Sequence, residues 1–162
     1  MTDAEPPQRP QRWALTVVLT LLLAVLSWYA LAHRPSPPGG PAVAATARAA
    51  AITFFTFDPT NPDATADQVL AMSTGQFRTD YERQSGALIG KIRQRGLEVT
   101  ANVPDDGVAV EYLDRDRAQV LVLINTSTKA GTSAAEPGTY RTRVVLSRVG
   151  GSWLLSGLES VG

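Results

Sequence analysis

The 162-residue chain has no cysteine, and its only histidine is His33. Without thiols there can be no disulfide framework, no thiolate metal site and no cysteine nucleophile. One imidazole with scattered carboxylates cannot supply the usual zinc ligand set. A Ser-His-Asp arrangement fails for the same reason, because His33 stands at the edge of an apolar run and ahead of a proline-rich stretch. Net charge of one sign is missing too. Fifteen Lys+Arg balance fifteen Asp+Glu, which argues against nucleic acid as a partner.

What is present is unevenly spread. Residues 13–32, WALTVVLTLLLAVLSWYALA, carry no charge over twenty positions and are bracketed by Arg12 and by His33-Arg34. As a helix this run measures about 30 Å, the hydrocarbon thickness of a bilayer. Its ten Leu and Val residues contribute about −3 to −6 kcal/mol to insertion, more than Thr16, Thr20 and Ser27 take away. Trp13 at one end and Trp28-Tyr29 at the other are placed for the membrane interface. Ala30-Leu31-Ala32 has the small-x-small form of a signal-peptidase site, which keeps a cleaved leader as an alternative. The length of the run and the bulky Trp28-Tyr29 pair favour an uncleaved transmembrane helix. Arg9 and Arg12 ahead of the span orient the head, residues 1–12, to the cytoplasm, and either reading sends the remainder across the membrane.

Residues 33–41 form a Pro/Gly-rich linker through which no helix is expected. The domain that follows, residues 42–162, holds 12 basic and 13 acidic groups and is long enough to bury a core. Three helices are expected first. One covers residues 42–57 and stops at Asp58-Pro59-Thr60-Asn61-Pro62. A second starts at Thr65, where Thr65-x-x-Gln68 reads as a capping box, and a third starts at the capping box Ser73-x-x-Gln76 with Met72 and Phe77 as a hydrophobic staple. The third carries the stripe Phe77, Tyr81, Leu88, Ile92, contains Gly86, and closes at Gly96. Lys91, Arg93 and Arg95 suit its negative end, with anionic headgroups as the alternative partner.

From Leu97 the hydrophobic period changes to two. Leu97–Val103, Val108–Leu113, Ala118–Asn125, Tyr140–Val149 and Trp153–Val161 read as strands, with turns at Pro104–Gly107 and Asp114–Arg117. A polar loop of about ten residues spans Gly131 and Pro137-Gly138, and a tight hairpin sits at Gly150-Gly151. Helices followed by an antiparallel meander give an α+β fold: about three helices packed on a curved sheet of four or five strands.

Three stretches carry a family resemblance. Ser73-Thr74-Gly75-Gln76-Phe77-Arg78 with Tyr81, Asp116–Val122, and Arg143–Leu146 with Gly151–Leu155 resemble the NTF2-like cone, in which a long helix lies in the mouth of a bent sheet. With the anchor and linker included, the whole chain is similar to the Mce-associated membrane proteins of actinobacteria. That resemblance implies a non-enzymatic accessory subunit of an Mce-type lipid or sterol transport complex in the cell envelope, with the domain outside the cytoplasm. It implies envelope proteins, the bilayer and lipid as partners, and no cofactor, metal or catalytic residue. VirB8-like assembly subunits of secretion or conjugation channels resemble the same anchor, spacer and fold.

A membrane-tethered isomerase or cyclase is the third reading, with Asp80 or Asp58 as base and Tyr81, Tyr112 or Tyr140 as donor. Asp80 and Tyr81 are neighbours on a helix and point about 100° apart, which weakens that pairing. The candidate cavity-lining residues are Phe77, Tyr81, Tyr140 and Trp153, with core packing as the competing role. Asp105-Asp106-Gly107 and Asp114-x-Asp116 lack the closing Glu of a calcium loop and read as turns. Asn125-Thr126-Ser127 is a glycosylation match expected by chance.

Overall fold

The computed structural model describes residues 39–162. The head, the span at 13–32 with Trp13, Trp28 and Tyr29, and His33 lie outside the described residues. Among the described residues no helix is long and apolar enough to cross a membrane.

Helix α1 is Gly40–Phe55. It begins inside the expected linker: Gly39 takes the left-handed conformation (φ 93°) and Pro41 stands in the first turn, where a missing N–H costs no intrahelical bond. Val43, Ala47, Ala50 and Ala51 are buried at helical spacing, and three alanines let the helix backbone approach the sheet closely. Helix α2 is Pro62–Ala71. It starts at Pro62 and not at Thr65, because Pro at the first position presets φ for the helix, and Thr65 falls within it.

Helix α3 is Gly75–Arg95 and runs unbroken through Gly86 to Gly96, which closes it at φ 56°. Its Ser73 capping box does not form. Thr74 is the N-cap without a side-chain bond, the Ser73 hydroxyl donates to the Val69 carbonyl, and Gln76 donates to Asp80.

Strands β1 (Leu97–Asn102), β2 (Val108–Leu113), β3 (Arg117–Ala130), β4 (Glu136–Val149) and β5 (Ser152–Ser160) form one antiparallel sheet. It is not a simple meander. β1 and β2 both pair with β3, β2 along Ala118–Val122 and β1 along Asn125–Ala130, so the turn at Pro104–Gly107 passes the chain along the same edge. β4 follows β3 and β5 follows β4. The loop expected around Pro137-Gly138 is shorter, since Glu136, Pro137 and Gly138 already pair with Thr128, Ser127 and Thr126. Extra residues at Glu111 in β2 and Ser156 in β5 shift the register, and such bulges bend a sheet.

The core lies between α1 and the inner face of the sheet. Val120, Val122 and Ile124 of β3, Val144 and Leu146 of β4, and Leu155 of β5 are sealed from solvent there with Val43 and Ala47. The long helix is the outlier. Of its 21 residues only Ser85 and Ile89 are buried, so α1, not α3, carries the helical side of the core.

Candidate functional site

Where α1 ends, α3 crosses, and the two helices meet the sheet through aromatic rings. Phe54 and Phe55 are consecutive, so their side chains diverge by about 100° around α1 and reach different neighbours. Phe54 contacts α3: its ring centroid is 6.2 Å from Phe77 and 6.0 Å from Tyr81, which are themselves 6.1 Å apart and stacked. Phe55 turns to β4, 5.5 Å from the Tyr140 ring. Such offset and tilted pairs stabilise by about 0.5–1.5 kcal/mol beyond area burial.

This cluster walls two clefts. A cleft of about 560 Å³ runs along α3 and is lined by Phe54, Phe77, Tyr81 and Leu88, with Asp80, Arg83 and Lys91 at its rim. A second, of about 290 Å³, is lined by Ile89 and Ile92 from α3 and by Val99, Thr126 and Tyr140 from the sheet. Phe54, Tyr81 and Leu88 belong to both. Of the candidate lining residues, Phe77, Tyr81 and Tyr140 are therefore brought together. Trp153 is not. It faces Arg148 across the β4–β5 hairpin, with the guanidinium carbon 5.9 Å from the ring centroid, and packs against the edge of the core.

Phe54 and Phe55, the centre of the cluster, were not marked by any motif. The available signal was that adjacent bulky rings close an alanine-rich helix and cannot both enter one core face.

The electrostatics of the site are sparse. Burial pushes the Tyr81 phenol above its ordinary pKa. Asp80 accepts a hydrogen bond from Gln76 at 2.8 Å and is ion-paired with Arg83. Asp58 accepts hydrogen bonds from the Thr60 hydroxyl at 2.7 Å and the Thr60 N–H at 2.8 Å, and these hold its carboxyl below the usual range. Tyr112 lies away from both clefts and donates to Asp114. Of the base and donor candidates of the isomerase reading, Asp80 and Tyr81 line the same cleft although they diverge around α3, and Asp80 is held by Arg83 and Gln76. Tyr140 lines the smaller cleft, and Asp58 and Tyr112 line neither.

Solved structures share this fold. An IcmL-like type IV secretion system protein from Legionella pneumophila superposes with a TM-score of 0.63 at 16% identity, covering 75% of this chain and 91% of that one. The periplasmic domain of DotI gives 0.60 at 17% identity, covering 75% and 94%. VirB8 of Agrobacterium tumefaciens gives 0.57 at 10% identity, covering 76% and 92%. At these identities the shared property is the fold: three helices on a five-stranded antiparallel sheet. In sequence, the chain is 26% identical over 121 residues to the "Uncharacterized protein Rv1363c" of Mycobacterium tuberculosis, covering 74% of this chain and 46% of that protein, so it spans about half of that relative's length. A family model matches residues 8–162, from the head to the last residue, and the chain belongs to the family it describes, "Uncharacterized protein Rv1363c/MT1408-like".

Proposed function

We propose that the chain is a non-enzymatic assembly subunit of an envelope-spanning protein complex, held by one membrane span at residues 13–32 with its folded domain outside the cytoplasm. The observation that carries the assembly role is the fold shared with type IV secretion proteins, and the non-enzymatic part of the reading rests on the chemistry of the domain's mouth. Its clefts are walled by Phe54, Phe77, Tyr81, Leu88 and Tyr140, and the carboxylate at the rim, Asp80, is already held by Arg83 and Gln76. A surface of this kind offers binding area and no acid–base pair poised for a reaction.

The finer form of the proposal is a VirB8-like subunit of a secretion or conjugation channel. The fold shared with an IcmL-like type IV secretion system protein, DotI and VirB8 supports it. An accessory role in an Mce-type lipid transport complex, which only the resemblance of the sequence implies, is the second reading. Purification of the tagged full-length protein from its native membrane in mild detergent tests both. Co-purifying channel ATPases and core subunits would support the first reading, and Mce substrate-binding subunits the second. A protein that emerges alone, at every detergent strength that retains known membrane complexes, would overturn the assembly role itself.

A further inference from the structure

The larger cleft is left open by the fold although its walls are apolar. Leu88 lines it and is 48% exposed, forgoing much of the roughly 1.5–3 kcal/mol that full burial of a leucine supplies. The larger cleft is a trough along α3, and three of its residues, Phe54, Tyr81 and Leu88, also line the smaller cleft. From Phe77 to Lys91 the trough follows α3 for about 21 Å, at 1.5 Å per residue.

Among the described residues, its one charged side chain without an ion-pair partner stands at one end. Asp80 and Arg83 pair with each other on the side nearer Phe77, and Asp63 takes Arg93. Lys91 lines the trough at the far end, is exposed, and has no ion-pair partner among the described residues. The other polar side chains of the trough, Gln84 and Ser85, are neutral. One free cation at one end of an apolar trough is the complement of one anionic head on one long apolar tail. A partner helix is a poorer match. At 10–12 Å across, it would occupy at least roughly 1,600 Å³ over the same 21 Å, against a cleft of about 560 Å³. Such a helix could lay down only one face.

We infer that the trough binds a free long-chain fatty acid, with its carboxylate on the Lys91 ammonium and its tail along Leu88, Tyr81 and Phe54 towards Phe77. The inference is independent of any channel partner. It is read by lipid labelling, whereas the assembly role is read by co-purification, so either can fail alone.

The test uses the full-length protein in phosphatidylcholine nanodiscs with palmitic acid carrying a terminal diazirine. After photolysis, peptide mapping is expected to find adducts at Phe54–Phe55 and within Phe77–Ile92, competed by unlabelled palmitate. Leu88→Glu places a charge in the trough at an exposed position, so the domain keeps its circular dichroism and these adducts are lost. Lys91→Glu is expected to weaken competition by palmitate about tenfold while leaving competition by methyl palmitate unchanged. Adducts confined to residues 13–32, or adducts unaffected by Leu88→Glu, would overturn the site. Equal competition by palmitate in wild type and Lys91→Glu would overturn the placement of the head. A polypeptide cross-linked at Leu88 in native membranes, in place of a fatty acid, would overturn the occupant.

Discussion

Phe57 and Val99 exchange both backbone hydrogen bonds: the Phe57 N–H donates to the Val99 carbonyl at 2.7 Å, and the Val99 N–H donates to the Phe57 carbonyl at 2.9 Å. The α1–α2 connection thereby stops the free edge of β1. On the opposite edge the α2–α3 connection does the same to β5, where Thr74 donates to Leu155 and Leu155 donates to Met72, each at 2.8 Å. Unpaired edges are templates for aggregation, and two short bridges blunt both. Phe57→Pro removes one donor while the preceding Thr56 is already extended (φ −89°, ψ 135°), as a residue before proline must be. We expect Phe57→Pro to be less stable than Phe57→Ala by about 1–3 kcal/mol in urea unfolding. Hydrogen exchange at Val99 should also be faster in the proline variant. Equal stability of the two would show that the bridge contributes nothing.

Arg48 ties the middle of α1 to the β1–β2 turn. Its guanidinium donates to the carbonyls of Val103, Pro104 (2.8 Å) and Asp105 (3.1 Å), fixing the point where the chain leaves β1 for β2. Arg48→Met keeps most of the apolar stem and leaves those carbonyls without the cation. The expected loss is about 1.5–3 kcal/mol, the range for hydrogen bonds to a charged group. Lysine, with a compact head in place of the planar fork, is expected to recover only part of it. Chemical denaturation of the three proteins is the measurement, and a methionine variant as stable as wild type would rule the clamp out.

Much of this architecture can be read from the chain because local chemistry and tertiary packing agree at the relevant positions. Gly96 ends α3 in the left-handed region, Gly150-Gly151 turns β4 into β5, and the alternation through Leu97–Asn102 and Val108–Leu113 marks two strands. Legibility fails where a tertiary contact outbids a local motif. Ser73 is held by the β5 bridge, so its hydroxyl turns back to Val69 instead of capping α3. Pro137 reads as a loop residue but sits in β4 beyond Thr142, the last β4 residue paired with β5, so its missing N–H can fall on an open side. Gly138, in the same strand, pairs with Thr126 of β3, and glycine is needed there because a Cβ would lie 2.8 Å from the Thr126 hydroxyl. The mouth of the domain was half legible. Phe77 and Tyr81 share a visible helical stripe, whereas their partner Phe54 comes from a separate element and depends on how α1 crosses α3.

Helix α3 contains two further glycines whose backbone makes no special demand. Gly86 and Gly90 do not have positive φ, and a Cβ built on either meets nothing within 4 Å. Glycine inside a helix is destabilising relative to alanine by about 0.5–1 kcal/mol, mainly through the freedom of the unfolded chain. Gly86→Ala and Gly90→Ala are therefore each expected to raise stability by about that amount, and nearly additively if they do not couple. Thermal melts of the single and double variants check this. A loss of stability in either would mean that the helix backbone is approached more closely than the fold itself requires.

Across the outer face of the sheet, Arg143 of β4 reaches Glu111 of β2 at 2.7 Å and Glu159 of β5 at 3.3 Å, joining strands on both sides of the β3–β4 pair. The hydrogen bond from Arg143 holds the Glu111 carboxyl below its ordinary pKa, and Glu111 in turn raises that of Arg143. Because the folded value of Glu111 is the lower one, its contribution is fully present above the unfolded value, about 4.3. It is lost as pH falls through the folded value. Arg143 stays charged throughout that range, so it adds no pH dependence of its own there. Exposed pairs of this kind stabilise weakly and are screened by salt. Glu111→Gln is accordingly expected to be slightly less stable than wild type at pH 7, with the gap closing below pH 4 and shrinking in high salt at neutral pH. Paired urea titrations across that pH range measure the gap directly, and a gap that persists at the acid end would assign it to packing at the β2 bulge instead of to charge.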